Sequence, residues 1–462
     1  MDNPIFGADS YKVSHHLQYP PGTTYLKAYF ESRGGKFEGT IFYGLQYILK
    51  KYLTRRIKQE HIDEAQTLFK NHFGSEDIFN KAGWQYIVDK CGGYMPVRIS
   101  AVPEGMFVPV KNVLFTVEST DENVPWVVSY VETLMVQSWY PMTVATNSFM
   151  QKRIIKDSLE KTADDLKMLN YKLHDFGFRG VTGVEAAQLG GSAHLVNFNG
   201  TDTLAAIPFI REYYGGCTVS PKSIPATEHS TMTTWTKDRE LDCAKHIMER
   251  VTNVPLSMVS DSYNLWDFLT QLGTREDLRS LIQARTAPLV IRPDSGEPTE
   301  IVPNVLNKLE ELFGSKVNTK GFKMLPDNIR MVQGDGISFE SMKDILKVVE
   351  NAGWSTENVT FGSGGALLQK VNRDTQKCAY KTCLAIVEGK KVDVFKDPIT
   401  DPGKKSKTGN LTLVSENGFL STIKQEEKTD NQIEELVPVF ENGSLLKEYK
   451  FDDIRARAEK AC

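Results

Sequence analysis

The sequence predicts an α/β protein, in which an irregular (β/α) barrel of about seven parallel strands accompanies a mixed α/β domain formed by the N- and C-terminal segments. Two observations support this prediction. Between about residues 172 and 370, short apolar runs alternate with Gly-, Asp- or Ser-rich turns and amphipathic helical stretches. Several runs are continuously apolar, which is typical of parallel strands that are covered on both faces.

The predicted barrel strands are apolar runs that each end at a polar turn. Helical stretches at residues 305–313 and 338–352 fill two of the gaps between the runs. Because each parallel strand must return by a crossover before the next begins, this spacing fits a parallel sheet. The predicted strands are residues 172–176, 194–198, 223–226, 255–259, 288–291, 330–333 and 359–361.

The flanking segments lack this alternation and are predicted to pack together as one composite domain. We place an N-terminal domain at residues 1–165, the barrel at 166–373 and a C-terminal segment at 374–462. The expected flanking elements are a strand at 24–31, helices at 43–52 and 61–73, two short strands within 95–108, buried helices within 126–158, a loop at 397–410, a hairpin at 411–414 and 419–422, a turn at Asn442-Gly443 and a helix at 452–460.

Composition and charge exclude several classes of protein. The 462 residues are 40% hydrophobic and 25% charged, which is an ordinary globular balance, and a net charge of -4 gives no general attraction to nucleic acid. The six cysteines show no C-x-x-C spacing, which favours reduced thiols. No apolar run reaches the roughly 18 residues of a spanning helix, and no signal peptide is evident. We expect a soluble cytoplasmic protein without nucleic-acid or membrane partners.

The turns after the predicted strands are expected to meet at one rim of the barrel, where such folds carry their active sites. One polar turn is unspecific, because Asp and Gly are common turn residues. Recurrence after successive strands predicts an active site. The turns are His174-Asp175-Phe176-Gly177, Gly200-Thr201-Asp202-Thr203, Thr227-Glu228-His229-Ser230, Ser260-Asp261-Ser262, Arg292-Pro293-Asp294-Ser295-Gly296, Gln333-Gly334-Asp335-Gly336 and Gly362-Ser363-Gly364-Gly365.

The last two turns predict a phosphate site. They would present backbone N–H groups at helix N-termini, where phosphate binds well, and barrels often place phosphate after their final strands. Arg292 and Asp294 follow another buried strand. Arg292 suits a bidentate phosphate contact, and Asp294 suits magnesium or ribose hydroxyls. The alternatives are plain tight turns and a structural Arg292–Asp294 pair.

In their order along the chain, these turns resemble the nicotinamide phosphoribosyltransferase family, which is related to nicotinate and quinolinate phosphoribosyltransferases. The resemblance runs through nearly the whole chain and implies that nicotinamide and phosphoribosyl pyrophosphate give nicotinamide mononucleotide for NAD salvage. Further matching motifs are Asp9-Ser10-Tyr11-Lys12, Gln18-Tyr19-Pro20-Pro21, Leu367-Leu368-Gln369-Lys370 and Val394-Phe395-Lys396-Asp397-Pro398.

The resemblance implies a nicotinamide site between Phe176 and Tyr11 of the partner subunit, with Asp9 nearby, and hence a homodimer with shared active sites. Stacking on both faces suits a ring that becomes cationic on N-ribosylation. Arg179 is implied to hold the carboxamide oxygen region. Asp202 would accept from the amide N–H₂ and, as an anion, would disfavour nicotinate. Asp202 is alternatively an N-cap of the following helix.

The phosphate and ribose contacts are likewise implied by the resemblance. Mg²⁺ is the implied cofactor, and no dedicated protein ligands are expected, because magnesium keeps phosphate oxygens and waters in its shell. The implied residues are Gly364, Gly365, Arg373 and Lys381 for the 5′-phosphate, Asp294, Gly334 and Asp335 for the ribose, Arg292 for either, and Arg33, Lys396 and Lys404 as further phosphate contacts. Lys404 lies in a basic run that is alternatively a solvated loop.

The resemblance implies that His229 is the histidine that ATP phosphorylates in this family. It also implies that ATP hydrolysis is coupled to product formation. A histidine nucleophile needs one neutral nitrogen facing phosphorus and a carboxylate that holds the other nitrogen. Asp261, on the next turn of the rim, is predicted to be that carboxylate. Glu228 is the alternative.

One departure from the family and three competing functions remain. The chain has Ala379-Tyr380-Lys381 where the family commonly has Ser-x-Lys, so we expect a modest loss of substrate affinity.

A nicotinate phosphoribosyltransferase is disfavoured by Asp202. A barrel isomerase or aldolase is disfavoured because the rim turns offer no lysine. An extracellular signalling role is disfavoured by the complete set of site residues.

Overall fold

The computed structural model describes residues 2–218, 220–400 and 405–462. They form two compact units: Met1–Thr146, Ile210–Cys217 and Asn372–Ala461 make the first, and Asn147–Phe209, Thr218–Val371 and Cys462 the second. The strands are β1 (Thr23–Ser32), β2 (Gly39–Ile41), β3 (Val97–Ala101), β4 (Phe107–Pro109), β5 (Val113–Ser119), β6 (Leu173–Asp175), β7 (Gly200–Thr201), β8 (Leu256–Val259), β9 (Leu289–Arg292), β10 (Lys316–Val317), β11 (Lys323–Met324), β12 (Ile329–Gln333), β13 (Val359–Ser363), β14 (Cys378–Val387), β15 (Lys390–Asp393), β16 (Leu411–Glu416), β17 (Phe419–Lys424), β18 (Ile433–Glu434), β19 (Val437–Glu441) and β20 (Ser444–Leu445).

The helices lie between these strands and at both ends of the chain. None of the helices in the described residues combines the length and the apolar character that crossing a bilayer requires. The α-helices are α1 (Leu45–Ile48), α2 (Gln59–Phe73), α3 (Lys81–Lys90), α4 (Val127–Tyr130), α5 (Glu132–Val136), α6 (Trp139–Thr162), α7 (Val184–Leu195), α8 (Ala206–Tyr214), α9 (His229–Thr233), α10 (Glu240–Arg250), α11 (Leu265–Thr274), α12 (Glu276–Gln283), α13 (Pro298–Phe313), α14 (Phe339–Asn351), α15 (Gly365–Leu368) and α16 (Phe451–Ala461). Shorter 3₁₀ turns are Pro4–Phe6, Ser10–Leu17, Leu169–Tyr171, Phe178–Gly180, Lys237–Arg239, Thr356–Asn358, Arg373–Thr375 and Gln425–Glu427, and a π-helical turn, Leu49–Leu53, extends α1.

The first unit is built on an antiparallel sheet with the strand order β15-β14-β1-β5-β3-β19-β20. The interior strand β1 is buried along its C-terminal half and pairs with β14 on one side and β5 on the other. The register with β14 places Tyr29 opposite Lys381 and Glu31 opposite Ala379. Strands from both ends of the chain therefore share one sheet.

The predicted turns and helices of the flanking segments are largely confirmed. The hairpin expected near residue 415 is β16 and β17, and the terminal helix is α16. Asn442 and Gly443 join β19 to β20, with φ of 48° and 84°. Two consecutive positive φ values are what a two-residue hairpin turn requires, and Asn-Gly tolerates them best. The described residues of the loop expected at 397–410 carry no helix or strand.

A buried carboxyl group in the first unit links stability to pH. Glu104 is 2% exposed, and its Oε1 accepts from the Gln46 amide at 2.7 Å. Burial raises the pKa of Glu104 to about 7 from 4.5, although the amides of Gln46 and Gly44 lower it. Between these two pKa values the folded protein keeps a proton that the unfolded chain releases. The protonated Glu104 carboxyl therefore contributes fully to the free energy of unfolding below about pH 4.5, and this contribution is lost as pH rises through about 7.

We expect Glu104→Gln to remove most of this pH dependence, because the amide keeps an acceptor for Gln46 and cannot ionise. Between pH 5 and pH 8, the difference in unfolding free energy between wild type and variant should change by about 2.5 kcal/mol in favour of the variant. Urea titrations at both pH values measure it. Parallel pH profiles for the two proteins would contradict the assignment.

The second unit is built on a curled parallel sheet with the strand order β7-β6-β13-β12-β9-β8. This confirms the α/β class, but the sheet has six strands over the described residues, where about seven were predicted. Two predicted strands are wrong. Residues 194–198 belong to the end of α7 and the turn after it, and residues 223–226 make only isolated parallel bridges.

Each wrong strand has a physical reason. His194 and Phe198 are fully buried, so this apolar run belongs to the buried end of a helix. A short apolar run looks the same in a buried helix end and in a buried strand. In the second run, Pro225 has no backbone N–H, which prevents a continuous ladder. The bridges pair Lys222 with Gly200 and Ala226 with Ser257, so this irregular segment connects both edges of the sheet.

The predicted helices that cover the sheet are confirmed, with shifted starts. α13 begins at Pro298, well before the predicted residue 305, because proline fits the first turn of a helix, where its missing N–H costs nothing. α14 begins at Phe339, and its N-cap Ser338 accepts from the Ser341 amide at 3.2 Å. Their apolar faces pack into one core with the strands.

Candidate functional site

A cavity of about 690 Å³ lies at the carboxyl ends of the parallel strands in the second unit. Because these strands run in the same direction, the residues that follow them meet at one edge of the sheet. The cavity contains aromatic, cationic, anionic and glycine residues within a single space. Its lining residues are Phe176, Phe178, Arg179, Gly180, Asp202, Thr203, Arg292, Asp294, Gly334, Asp335, Gly364 and Gly365.

The ring of Phe176 packs against two glycine residues, Gly362 and Gly334. Phe176 follows β6, and its amide donates to the Ser363 carbonyl at 2.9 Å. A Cβ atom at Gly362 would lie 1.9 Å from the ring, and one at Gly334 would lie 3.4 Å from it. Gly362 is therefore required by the space that the ring occupies. The exposed face of Phe176 is available to a flat ligand.

We expect Gly362→Ala to displace the Phe176 ring and to raise the KM for an aromatic substrate by about fivefold, since an aromatic pair contributes on the order of 1 kcal/mol beyond burial. Gly183→Ala is the matched control, because a Cβ there meets open space and the backbone is extended. Steady-state kinetics of both variants, with circular dichroism for folding, measure the effect. Equal KM values in the two variants would refute this role of Gly362.

Asp202 follows β7 on one wall of the cavity and is exposed. Its Oδ1 accepts a short hydrogen bond from the Ser223 hydroxyl. The alternative that Asp202 caps the following helix is wrong, because α8 begins only at Ala206. Arg179 lies in the turn after Phe176 and is also exposed to the cavity. The carboxylate and the guanidinium thus offer an acceptor and a donor within one space.

Two of the rim turns meet at His229. The Nε2 atom of His229 lies 3.1 Å from Asp261 Oδ1, and its Nδ1 lies 3.9 Å from Asp294 Oδ2, beyond hydrogen-bond distance. The Asp261 side chain is 5% exposed, and its Oδ2 accepts from the Asp294 amide at 3.0 Å and from the Ser295 hydroxyl. Asp261 is therefore rigidly held against one nitrogen of His229.

Of the two carboxylates considered for holding His229, the structure places Asp261 against it. Glu228 instead accepts from the Ser230 hydroxyl and caps α9 together with Thr231. Nearly half of the His229 side chain is exposed. In the neutral tautomer that donates from Nε2 to Asp261, Nδ1 carries the lone pair and lies on the side of Asp294.

Arg292 and the two glycine turns complete the wall of the cavity. Arg292 Nη2 donates to the Thr227 carbonyl at 2.9 Å, and its buried Nε has no hydrogen-bond partner within the described ranges. No ion pair joins Arg292 to Asp294 in the part of the chain that the structure describes. α14 begins after its own cap Ser338, two residues beyond Gly336, and α15 has only four residues, so neither glycine turn forms the N-terminus of a long helix.

Three residues that interact with the rim turns had no role predicted from the sequence. Asp175 ends β6, and its Oδ1 accepts from the Gly177 amide at 2.7 Å. Burial, with a smaller contribution from the charge of nearby Asp202, raises the pKa of Asp175 to about 6. Glu240 is buried, and burial, together with the negative charge of Asp261, raises its pKa. Ser223 and Glu240 gave no sequence signal, because each lies far along the chain from its partner. Asp175 was already part of the first rim turn, two residues before Gly177.

Other predicted site residues belong to the first unit. Tyr11 is 56% exposed, and its ring centroid lies 5.3 Å from that of His15. Asp9 is held by Thr133, through its amide at 3.1 Å and its Oδ2 at 2.9 Å. A large exposed ring at this N-terminal turn is available for contact with another molecule.

The predicted phosphate-binding cations of the first unit have different surroundings. Arg33 Nε lies 3.0 Å from Glu31, whereas Arg373 is exposed, with Asp374 at 3.7 Å. Burial lowers the pKa of Lys381. Lys396 is exposed, and its backbone exchanges hydrogen bonds with Ser406 at 2.8 and 2.9 Å. Lys404 lies outside the described residues.

Comparison with known proteins identifies two family profiles in the chain. Residues 171–443 match the Nicotinate phosphoribosyltransferase (NAPRTase) family, and residues 3–99 match the N-terminal domain of Nicotinamide phosphoribosyltransferase. The first match includes all of the residues that line the cavity. The second includes Asp9, Tyr11 and Arg33.

Relatives extend this similarity over the full length. The chain is 47% identical over 470 residues to the Nicotinamide phosphoribosyltransferase of Xanthomonas campestris pv. campestris (strain 8004), covering 100% of this chain and 99% of the relative. It is 30% identical over 491 residues to the protein of the same name from Acinetobacter baylyi (strain ATCC 33305 / BD413 / ADP1), covering 98% and 97%. The fold is similar to the crystal structure of nicotinate-nucleotide pyrophosphorylase from Pyrococcus furiosus, with a TM-score of 0.64, 15% identity and coverage of 99% and 95%.

Proposed function

This chain belongs to the Nicotinate phosphoribosyltransferase (NAPRTase) family and is a phosphoribosyltransferase, and we propose that it converts nicotinamide and phosphoribosyl pyrophosphate into nicotinamide mononucleotide and pyrophosphate for NAD salvage. The observation that carries the proposal is one cavity that combines Phe176, Asp202 and Arg179 with the guanidinium of Arg292 and two glycine turns. The names of the full-length relatives support nicotinamide as the base.

The recognition of nicotinamide follows from the groups on the cavity wall. The exposed face of Phe176 would stack on the pyridine ring, and Tyr11 of a second copy would cover the other face. Asp202, held by Ser223, would accept from the amide N–H₂, while Arg179 would donate to the amide oxygen. A carboxylate in place of the amide would face Asp202 with like charge, which supports selection against nicotinate. The proposed working unit is therefore a homodimer.

The phosphoribosyl group would occupy the rest of the cavity. Arg292 and the amides of Gly364 and Gly365 suit the 5′-phosphate, because backbone N–H groups and a guanidinium bind oxyanions well. Asp294 and Asp335 suit the ribose hydroxyls. In the first unit, the cations Arg33, Arg373, Lys381 and Lys396, with Lys404, are proposed as further phosphate contacts.

Magnesium fits the donors of this cavity, because it binds through one or two carboxylates together with substrate phosphates and water. Asp294 or Asp335 would hold it there. It would supply positive charge to the pyrophosphate leaving group. Within the described ranges, no group of three or more His, Cys, Asp or Glu side chains could hold a metal ion by itself.

The chain's own residues would act mainly by positioning and by stabilising charge. The bond from ribose C1′ to the pyrophosphate oxygen breaks while the pyridine nitrogen attacks C1′, through an oxocarbenium-like state. Phe176 and Asp202 would hold the ring so that its nitrogen faces C1′, since correct orientation lowers the barrier substantially. Anionic Asp294, near the ribose, would stabilise the developing positive charge.

His229 is proposed to accept the γ-phosphoryl group of ATP on Nδ1. Asp261 holds Nε2, which leaves the lone pair of Nδ1 to attack phosphorus as the ADP oxygen departs. Hydrolysis of the phosphohistidine would then be coupled to product formation. The support is the fixed His229–Asp261 contact beside Asp294, which lines the cavity.

The test is a set of initial rates with phosphoribosyl pyrophosphate and Mg²⁺, in which nicotinamide and nicotinate are each assayed with and without ATP. Faster turnover of nicotinamide, stimulated by ATP, is the expected result. Preference for nicotinate would overturn the role of Asp202. Absence of product from either base would overturn the assigned reaction.

A further inference from the structure

A buried carboxylate in the first unit holds two cationic side chains at once. Glu31, on β1, has only 3% of its side chain exposed. Its Oε1 lies 3.0 Å from Arg33 Nε, and its Oε2 forms an ion pair with Lys407 Nζ. A carboxylate buried to this degree requires paired charges. One group therefore fixes the positions of both cations.

Tyr29 adds a second constraint to the same cluster. Its hydroxyl lies 3.4 Å from Glu31 Oε1 and accepts from the Lys407 amide at 2.9 Å. Burial raises the pKa of Tyr29 to about 12, and Glu31 contributes to that rise. The hydroxyl thus remains a donor for Glu31. Lys407 is held at both its backbone and its side chain.

The cluster has unused hydrogen-bond donors and an excess of positive charge. Arg33 Nη2 is buried and has no hydrogen-bond partner among residues 2–218, 220–400 and 405–462. Burial lowers the pKa of Lys381, and the nearby charges of Arg33, Lys396 and Lys12 lower it further, while Glu132 opposes them. Cations crowded in this way attract an anion.

We propose that Glu31 is a positioning residue that orients Arg33 and Lys407 as a pair of donors for the phosphate groups of phosphoribosyl pyrophosphate. The identity of that anion rests on the proposed function. Arg33 pairs with Glu31 through Nε, and its Nη2, which has no hydrogen-bond partner within the described ranges, is left for an oxyanion. Lys407 has three donors, of which Glu31 accepts one.

Orientation and net charge predict opposite results when Glu31 loses its charge. Glu31→Gln increases the positive charge of the cluster by one. If attraction alone mattered, the anion would bind more tightly to the variant. If Glu31 orients the donors, the anion would bind more weakly, because Arg33 and Lys407 would no longer be held.

The experiment measures the KM for phosphoribosyl pyrophosphate and the binding of inorganic pyrophosphate by calorimetry. We expect Glu31→Gln to weaken both by about tenfold, the effect of losing one charge-assisted contact, with the KM for nicotinamide unchanged. Glu31→Asp keeps the charge but withdraws it by about 1.5 Å, so we expect an intermediate loss.

The matched control is Glu118→Gln in the same sheet. Glu118, on β5, accepts from the Tyr25 hydroxyl at 2.6 Å and lies near Lys27 and Arg98, at 3.7 and 3.5 Å. It therefore repeats the arrangement of a carboxylate with a tyrosine and two cations. We expect this variant to bind phosphoribosyl pyrophosphate and pyrophosphate as wild type does.

The outcomes separate this inference from the proposed function. Wild-type protein that binds pyrophosphate but forms no product would overturn the function, whereas weaker binding by Glu31→Gln would still support the positioning role. Equal or tighter binding by Glu31→Gln would overturn that role. If this variant does not fold, an unchanged KM in Glu31→Asp overturns it instead.

Discussion

Asp202→Asn is expected to remove most of the discrimination between nicotinamide and nicotinate. The kcat/KM for nicotinamide should fall by about 30-fold, because a charged acceptor becomes a neutral one. The kcat/KM for nicotinate should rise, since like-charge repulsion is removed. The ratio of the two values should therefore fall by more than about 100-fold. Asparagine preserves the shape of the side chain and an oxygen for the Ser223 hydroxyl.

The control for this prediction is Asp335→Asn, which removes a carboxylate from another wall of the same cavity. It is expected to change the KM for phosphoribosyl pyrophosphate and to leave the selectivity between the bases as it was. Initial rates with both bases measure the ratio. A selectivity ratio that is unchanged in Asp202→Asn would show that another group selects the base.

His229→Ala is expected to abolish the transfer of labelled phosphate from ATP to the protein and to reduce the rate with ATP to the rate without it. Asp261→Asn should slow labelling on the order of 1,000-fold, because an amide no longer fixes the tautomer with the lone pair on Nδ1. The ATP-independent rate should survive both changes, since neither side chain is proposed to contact the base.

His246→Ala is the control for the labelling experiment. His246 lies on α10 and contacts Trp235 and Arg250, so it tests the loss of a histidine ring outside the cavity. Its labelling and its stimulation by ATP should match wild type. Label retained in His229→Ala, or lost in His246→Ala, would contradict the assignment of the acceptor.

The predictable part of the fold was the part with a strong local pattern. β9, β12 and β13 were found because each is a mainly apolar run that ends at a polar turn. β7 was missed because its two residues, Gly200 and Thr201, carry no apolar signal. Its position is set by pairing with β6, which is a long-range contact that a local pattern does not encode.

The same distinction applies to the candidate site. The rim residues could be predicted together, because strand ends of a parallel sheet converge whatever their distance in sequence. Asp261 beside His229 follows from that convergence. The contacts of Ser223 with Asp202 and of Glu31 with Lys407 depend on side-chain directions across the fold. Sequence spacing does not determine those directions.

A competition assay tests the central claim most directly. Equimolar nicotinamide and nicotinate are incubated in one tube with the purified protein, phosphoribosyl pyrophosphate and Mg²⁺, and the mononucleotides and pyrophosphate are quantified. The account predicts that nicotinamide mononucleotide forms in excess and in equal amount to pyrophosphate. An excess of nicotinate mononucleotide, or consumption of phosphoribosyl pyrophosphate without either mononucleotide, would contradict it.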